Sequence, residues 1–174
     1  MIEVAPSWTI RLLSAGDRVA VDHLLDRAFG ADRHGRTAYR LRAGTSAIAP
    51  LCFVAEAGNG DLLGSIECWP VALVSDDLTI DLTLLGPLGV DPAHQGIGVG
   101  RALLRASTEA ADAAGRGLMM LIGDEDYYAP FGFRAGLAPD WALPGPFERA
   151  RLLVRNPQAR ALRSHGVVGP HSAR

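Results

Sequence analysis

The stretch from residue 79 to residue 101, TIDLTLLGPLGVDPAHQGIGVGR, constrains the chain more than any other. It begins with strict alternation, Ile80, Leu82 and Leu84 on one side and Thr79, Asp81 and Thr83 on the other, the period of a β-strand. The alternation then runs into Gly86-Pro87-Leu88-Gly89-Val90. Proline has no amide to donate and glycine weakens regular pairing, so a neighbouring strand is expected to come unzipped here. Amides and carbonyls around Leu88 and Val90 are then free to pair with something that is not protein. Asp91-Pro92 signals a turn. From Val99 the apolar period becomes helical, through Leu103, Ala106, Ala110 and Ala113. The glycines of Gln95-Gly96-Ile97-Gly98-Val99-Gly100 therefore lie where a strand hands over to a helix. Unpaired amides and the positive end of the helix dipole gather at such a place, which suits a phosphate or pyrophosphate.

Three kinds of loop compete for this pattern. A nucleoside-triphosphate loop needs a lysine after its last glycine, and this sequence has none, all 17 of its basic residues being arginine. The dinucleotide fingerprint is spaced G-x-G-x-x-G and calls for an acidic residue at the end of a following strand. Here the glycines are Gly96, Gly98 and Gly100, and that acid is missing. Gln95, Gly98 and Gly100 fit the third kind, the acetyl-coenzyme A loop Q/R-x-x-G-x-G/A.

At these residues the chain resembles the GCN5-related N-acetyltransferases (GNAT). LLGPLGVDPAHQGIGVGRALL resembles the core segment of that family, and GDEDYYAPFGF resembles its segment from strand five into helix four. The pair is similar to a bacterial subgroup carrying L-G-P-L-x-V-x-P and Y-Y-x-x-F-G-F. The resemblance is dense over residues 62–134. It implies an α/β (α+β) fold with a mixed, mostly antiparallel sheet, splayed at its centre and flanked by helices. It also implies an enzyme that moves an acetyl group from acetyl-coenzyme A (acetyl-CoA) to a primary amine by direct transfer in a ternary complex. The acceptor would be a small-molecule amine or an amine on a protein. Three departures bear on acceptor preference: Ala129-Pro130 stand where an arginine often precedes the phenylalanine, an acid usual ahead of Leu41-Arg42 is absent, and the aromatic residues typical of the subgroup's far C-terminus are missing.

A chain of 174 residues, 48% hydrophobic and 21% charged, suits one acetyltransferase domain over residues 1–174, with residues 164–174 expected as a loose tail. A net charge of -2 argues against a nucleic-acid partner. The run from Arg149 onward, with six arginines and no acid, reads as a solubilising surface. Cys52 and Cys68 lie in apolar runs and read as buried thiols, without a disulfide framework or metal site. No stretch approaches the roughly 20 apolar residues that cross a bilayer. The N-terminus, MIEVAPSWTIRLL, lacks the long apolar centre of a signal peptide. A cytoplasmic protein with no membrane partner is expected.

Taken in order, residues 8–12 read as a strand, and Ser14 to Asp17 as the cap of a helix through Val21, Leu24, Leu25 and Ala28. A second helix is predicted over 36–42. By the resemblance, the region between these helices forms a wall of the acceptor site, with His23, Asp26, Phe29, Asp32, His34, Tyr39 and Arg42 as candidates. Strands at 51–56 and 62–74, the latter broken by Pro70, join through a Gly58–Asp61 turn and lead into the central strand as an antiparallel meander. The all-apolar Leu118–Ile122 reads as a buried strand parallel to the central one. Phe147–Val154 reads as a last strand at an edge able to pair two copies into a homodimer, and 159–163 as a helical turn.

Acetyl transfer requires the coenzyme to be held, the amine to be neutral, the oxyanion to be stabilised and the departing thiolate to gain a proton. The backbone of Gln95, Gly96, Ile97, Gly98, Val99 and Gly100 is assigned to the pyrophosphate. Leu88, Gly89 and Val90 are assigned to the pantetheine arm, which would add like a strand. The Leu88 or Gly89 amide would serve the acetyl oxygen. The resemblance makes Tyr128, four residues before Gly132, the general acid, and leaves Tyr127 to the core. Glu67 and Asp124 are the candidate general bases, beside a water relay that needs neither. Two rival readings remain: a non-catalytic acyl-CoA sensor, and a subunit whose basic tail grips a protein partner.

Overall fold

The computed structural model describes residues 7–171. Residues 1–6, part of the stretch read above against a signal peptide, and residues 172–174 of the expected tail lie outside it.

The meander forms as expected, from β1 (Trp8–Leu12), β2 (Phe53–Ala57), β3 (Leu62–Ser75) and β4 (Leu78–Val90), each antiparallel to the next. After β1 the Asp17 carboxylate accepts from the Ser14 amide and hydroxyl at 2.8 and 2.9 Å, closing the turn that starts α1 (Arg18–Phe29). The second helix is shorter than predicted: α2 spans only Thr37–Arg40, because Arg36 before it is extended and residues 41–44 continue as turns. α3 (Val99–Ala113) then crosses to β5 (Met119–Ile122), which runs parallel to β4. A single turn, α4 (Glu125–Tyr128), leads to β6 (Phe133–Arg134), β7 (Asp140–Ala142), β8 (Leu152–Arg155) and β9 (His165–Pro170). The sheet order is β1-β2-β3-β4-β5-β8-β6, with β9 against the second half of β3 and β7 parallel to β9.

Both faces of the sheet are covered, which is why β5 is apolar throughout. Met119 and Leu121 pack with Leu103, Leu104 and Val99 of α3. Met120 faces the other way, against Leu84, Trp141 and Val154. A third cluster seats α1 through Val21, Leu24 and Leu25 on Val54 and Cys52. Both cysteines are buried and free, and burial pushes the Cys52 and Cys68 thiols up to about 11 and about 12.

Four expectations are corrected. Pro70 does not break its strand: it stands opposite Thr83, between the last β2 pairing at Ile66 and the first β9 pairing at Val71, where its missing amide is not needed. The tail expected at 164–174 is not loose over 165–170, because β9 completes the stretch of β3 that β2 leaves uncovered and buries Val168. The strand expected over 147–154 begins only at Leu152 and is an edge over half its length only, since Val154 and Arg155 pair with β6 as well as with β5. Residues 159–163 form no helical turn; Ala159 has a positive φ of 48° and Asn156 caps the loop instead.

Candidate active site

The sheet opens between β4 and β5. Only Thr83 with Met119 and Leu84 with Met120 are in register. Just beyond, Ile66 of β3 faces Leu88 while Cys68 faces Leu85, so Gly86 and Pro87 bulge out of β4 opposite Glu67. The expected unzipping is therefore one-sided. β4 leaves β5 but stays paired with β3 as far as Val90. The Asp91 amide donates to Leu63 O at 2.8 Å. Strand alternation then turns Gly89 toward β3 as well, and turns the amides and carbonyls of Leu88 and Val90 to the open side. Gly89 is small for another reason: a Cβ there would stand 2.7 Å from Leu25 Cδ2, where α1 crosses the sheet.

The turn after β4 is anchored by Asp91. Its carboxylate accepts from the Ala93 amide at 2.9 Å and from Arg27 of α1 at 2.8 and 3.0 Å, and these hydrogen bonds hold it below the usual carboxylate range. Gly96 and Gly98 then adopt φ of +82° and +89°, a region that side chains disfavour, and a Cβ on either would meet nothing within 4 Å. They face open space. Gly98 is the N-cap of α3, so the first amides of that helix, with no partners inside it, point the same way.

The result is a cleft of about 520 Å³. Of the nine residues expected to hold the coenzyme, Leu88, Val90, Gln95, Gly96, Gly98, Val99 and Gly100 line it. Gly89 does not, being turned to β3 and α1, and Ile97 is 54% exposed outside it. Ala28, His94 and Arg101 line it unanticipated, and Phe29, expected on the acceptor wall, lines it as well. Of these, Arg101 was open to a sequence reading, as a cation in the first turn of the helix that follows the glycines. The residues present suit a coenzyme with a pyrophosphate and an amide-bearing arm: amides at the helix start for the first, an open strand edge for the second.

The two tyrosines line this cleft and also a second, wider one of about 840 Å³ that spans the opening, with Leu84 to Leu88 on one side and Leu121 to Asp124 on the other. Tyr128 is half-buried and meets Phe133 edge-on at 6.0 Å. Burial above all, then Tyr127 and Asp124, pushes its phenol up to about 12. Tyr127, which reads as a core residue in the sequence, is 36% exposed. Its hydroxyl lies 2.5 Å from where a Gly100 Cβ would be, so it lies over the start of α3.

The two candidate bases are separated. Asp124 is exposed, lines the wider cleft and lies 3.3 Å from Arg151 Nε. Glu67 is 3% exposed and accepts from Arg18 Nη1 at 2.8 Å, and it lines neither cleft. Of the acceptor-wall candidates, Phe29, Tyr39 and Arg42 line the wider cleft; His23, Asp26, Asp32 and His34 do not, and Asp26 instead holds the buried Arg33 at 2.9 Å. Among the described residues no helix is long and apolar enough to cross a membrane, and no group of three or more His, Cys, Asp or Glu could hold a metal ion.

Known proteins share this architecture. The crystal structure of the GNAT family N-acetyltransferase YhbS from Escherichia coli in complex with CoA superposes with a TM-score of 0.78 at 25% identity, over 98% of this chain and 93% of that one. A GNAT family acetyltransferase from Brucella melitensis in complex with acetyl-CoA superposes with a TM-score of 0.60 at 27% identity, over 86% of this chain and 96% of that one. In sequence, the uncharacterised N-acetyltransferase YhbS of Escherichia coli K12 is 27% identical over 153 residues, 88% of each chain. Residues 49–135, half of the chain, match the acetyltransferase (GNAT) domain. The opened sheet, the amide-lined turn and these likenesses agree: the chain belongs to the GNAT family of N-acetyltransferases.

Proposed function

We propose that residues 1–174 form one acetyltransferase domain that moves an acetyl group from acetyl-CoA directly to a primary amine, with both bound at once on opposite sides of the β4–β5 opening. The observation that carries this reading is the meeting of the two clefts at Tyr128 and Leu88. Acetyl-CoA supplies the thioester carbonyl that the amine attacks. The amides of Gly96 to Gly100 hold its pyrophosphate and the open edge of β4 its arm, while the Leu88 amide serves the acetyl oxygen as that atom gains charge. A phenol at about 12 is a weaker acid than a thiol at about 8.5. Tyr128 therefore steadies the departing thiolate by donating a hydrogen bond and keeps its own proton, and the thiolate takes up a proton from the solvent.

The amine sheds its proton toward water in the open acceptor cleft, with Asp124 at its wall. Glu67, sealed behind the bulge and paired with Arg18, serves to fix β3 against α1. Part of the stretch that the rival reading would hand to a protein partner, residues 167–170, is paired with β3 instead. We place the enzyme in a bacterial cytoplasm, a reading supported by the bacterial relatives, the supply of acetyl-CoA there and the free thiols.

The test is amine-dependent release of free CoA thiol across a panel of amines, with mass spectrometry for one added acetyl group on the amine. Transfer without any acetylated form of the protein supports direct transfer. Tight acetyl-CoA binding with no amine acetylated would favour the sensor instead.

A further inference from the structure

Most of the cations on the wall of the wider cleft are already engaged. Arg33, 2% exposed, pairs with Asp26 at 2.9 Å and Asp22 at 3.2 Å and donates to the Tyr39 hydroxyl. Arg151 lies against Asp124. Arg36 is exposed, lies over the Phe29 ring and donates to the Phe29 carbonyl at 3.1 Å.

Arg42 differs. Its guanidinium lies between two aromatic rings, 3.7 Å from the centroid of Tyr39 and 4.5 Å from that of Trp69, and Arg33 holds Tyr39 in turn. It forms no ion pair with any described residue. Glu67, the carboxylate whose charge acts on it, is taken by Arg18. Arg42 Nη1 is buried without a hydrogen-bond partner, and so is Trp69 Nε1 in the same stack. A buried guanidinium nitrogen and a buried indole N–H in one stack, neither with an acceptor, are costly to maintain for packing alone. The stack meanwhile fixes the plane of a five-donor fork, which is the preorganisation that binding carboxylate or phosphate oxygens requires. The remaining carboxylate on the wall, Glu148, is exposed.

We infer that the amine acceptor carries an anionic group, a carboxylate or a phosphate, and that Arg42 holds it while the amine reaches across the cleft to the thioester. This rests on the acetyltransferase reading above. The anionic group sets specificity, and the stack of Tyr39, Arg42 and Trp69 reads it.

The experiment compares wild type, Arg42→Gln and Arg42→Lys on matched amines: phenylalanine against its methyl ester, and ethanolamine phosphate against ethanolamine. Rates are referred to the concentration of neutral amine. In the wild type the anionic member of at least one pair is favoured in kcat/KM by about tenfold or more, the scale of one charged hydrogen-bonded contact. Arg42→Gln brings that ratio to near one, mainly through KM, and Arg42→Lys restores part of it. The pair that shows the larger ratio separates carboxylate from phosphate. A wild-type ratio near one, a ratio that survives in Arg42→Gln, or no reaction with any of the four amines overturns the inference. Calorimetric titration of acetyl-CoA into the same preparations separates the two failures. Heat without anionic preference sinks the role of Arg42 alone, whereas no heat sinks the acetyltransferase reading beneath it.

Discussion

Replacing Tyr128 by phenylalanine is expected to lower kcat about 100-fold, the low end of what a positioned proton donor contributes, while acetyl-CoA affinity changes little. The ring remains, so its contact with Phe133 and its place in the core are kept and only the hydroxyl is lost. Stopped-flow or steady-state thiol release together with calorimetry separates the two effects. The pH profile adds a second check. Burial raises this phenol to about 12, so its protonated, donating form persists well above the ordinary phenol value of about 10. Activity should climb as the acceptor amine loses its proton and then hold level through about pH 10, with no alkaline fall from Tyr128. A fall centred near an ordinary phenol value, or a phenylalanine variant as fast as wild type, contradicts the assigned role.

Gly98→Val should weaken acetyl-CoA binding by about 100-fold or more, the equivalent of losing one or two charge-assisted hydrogen bonds. Two costs combine at that position. Gly98 holds a φ of +89°, where a β-branched residue is strained, so the turn must reshape. The new side chain also enters the space beside the helix start, where nothing now stands within 4 Å. Because that space is empty, no core contact is crowded, and the folded state should survive with a modest loss of Tm. Calorimetry on the folded variant decides the matter. A dissociation constant within about threefold of wild type would mean that these amides do not carry the pyrophosphate.

The parts of the fold that the sequence disclosed are those with local causes. Alternation marked β4, the switch to helical spacing marked α3, and glycine between them marked the turn. What escaped notice depends on distant partners. β9 reads as a tail because His165–Pro170 is framed by glycine and proline, and only the uncovered half of β3 makes it a strand. The edge expected near residue 150 is half covered for the same reason, where β6 folds back along Val154 and Arg155. Gly86-Pro87 signalled a break in pairing, but the side of the break depends on the bulge opposite Glu67, which no local pattern reveals.

Within the site, the same division holds. Seven of the nine residues expected at the coenzyme line the cleft, and they were legible because they fall within one short stretch, 88–100. Tyr127 reads as core but lines both clefts beside Tyr128, and α4, one turn long, is too short for a period to say which ring faces inward. Glu67 and Asp124 could not be ranked without burial, and it is burial behind Arg18 that keeps Glu67 out of both cleft linings. Arg42 stood among seven wall candidates, and only its aromatic stack and unmatched Nη1 distinguish it.

The account depends above all on where the coenzyme lies, and a crystal structure of the protein with CoA tests that directly. The expected density has the pyrophosphate on the amides of Gly96 to Gly100, the pantetheine arm paired along Leu88 and Val90, and the sulfur facing the Tyr128 hydroxyl. Density for the nucleotide anywhere other than the cleft between β4 and β5, or a sulfur turned away from Tyr128, would contradict it.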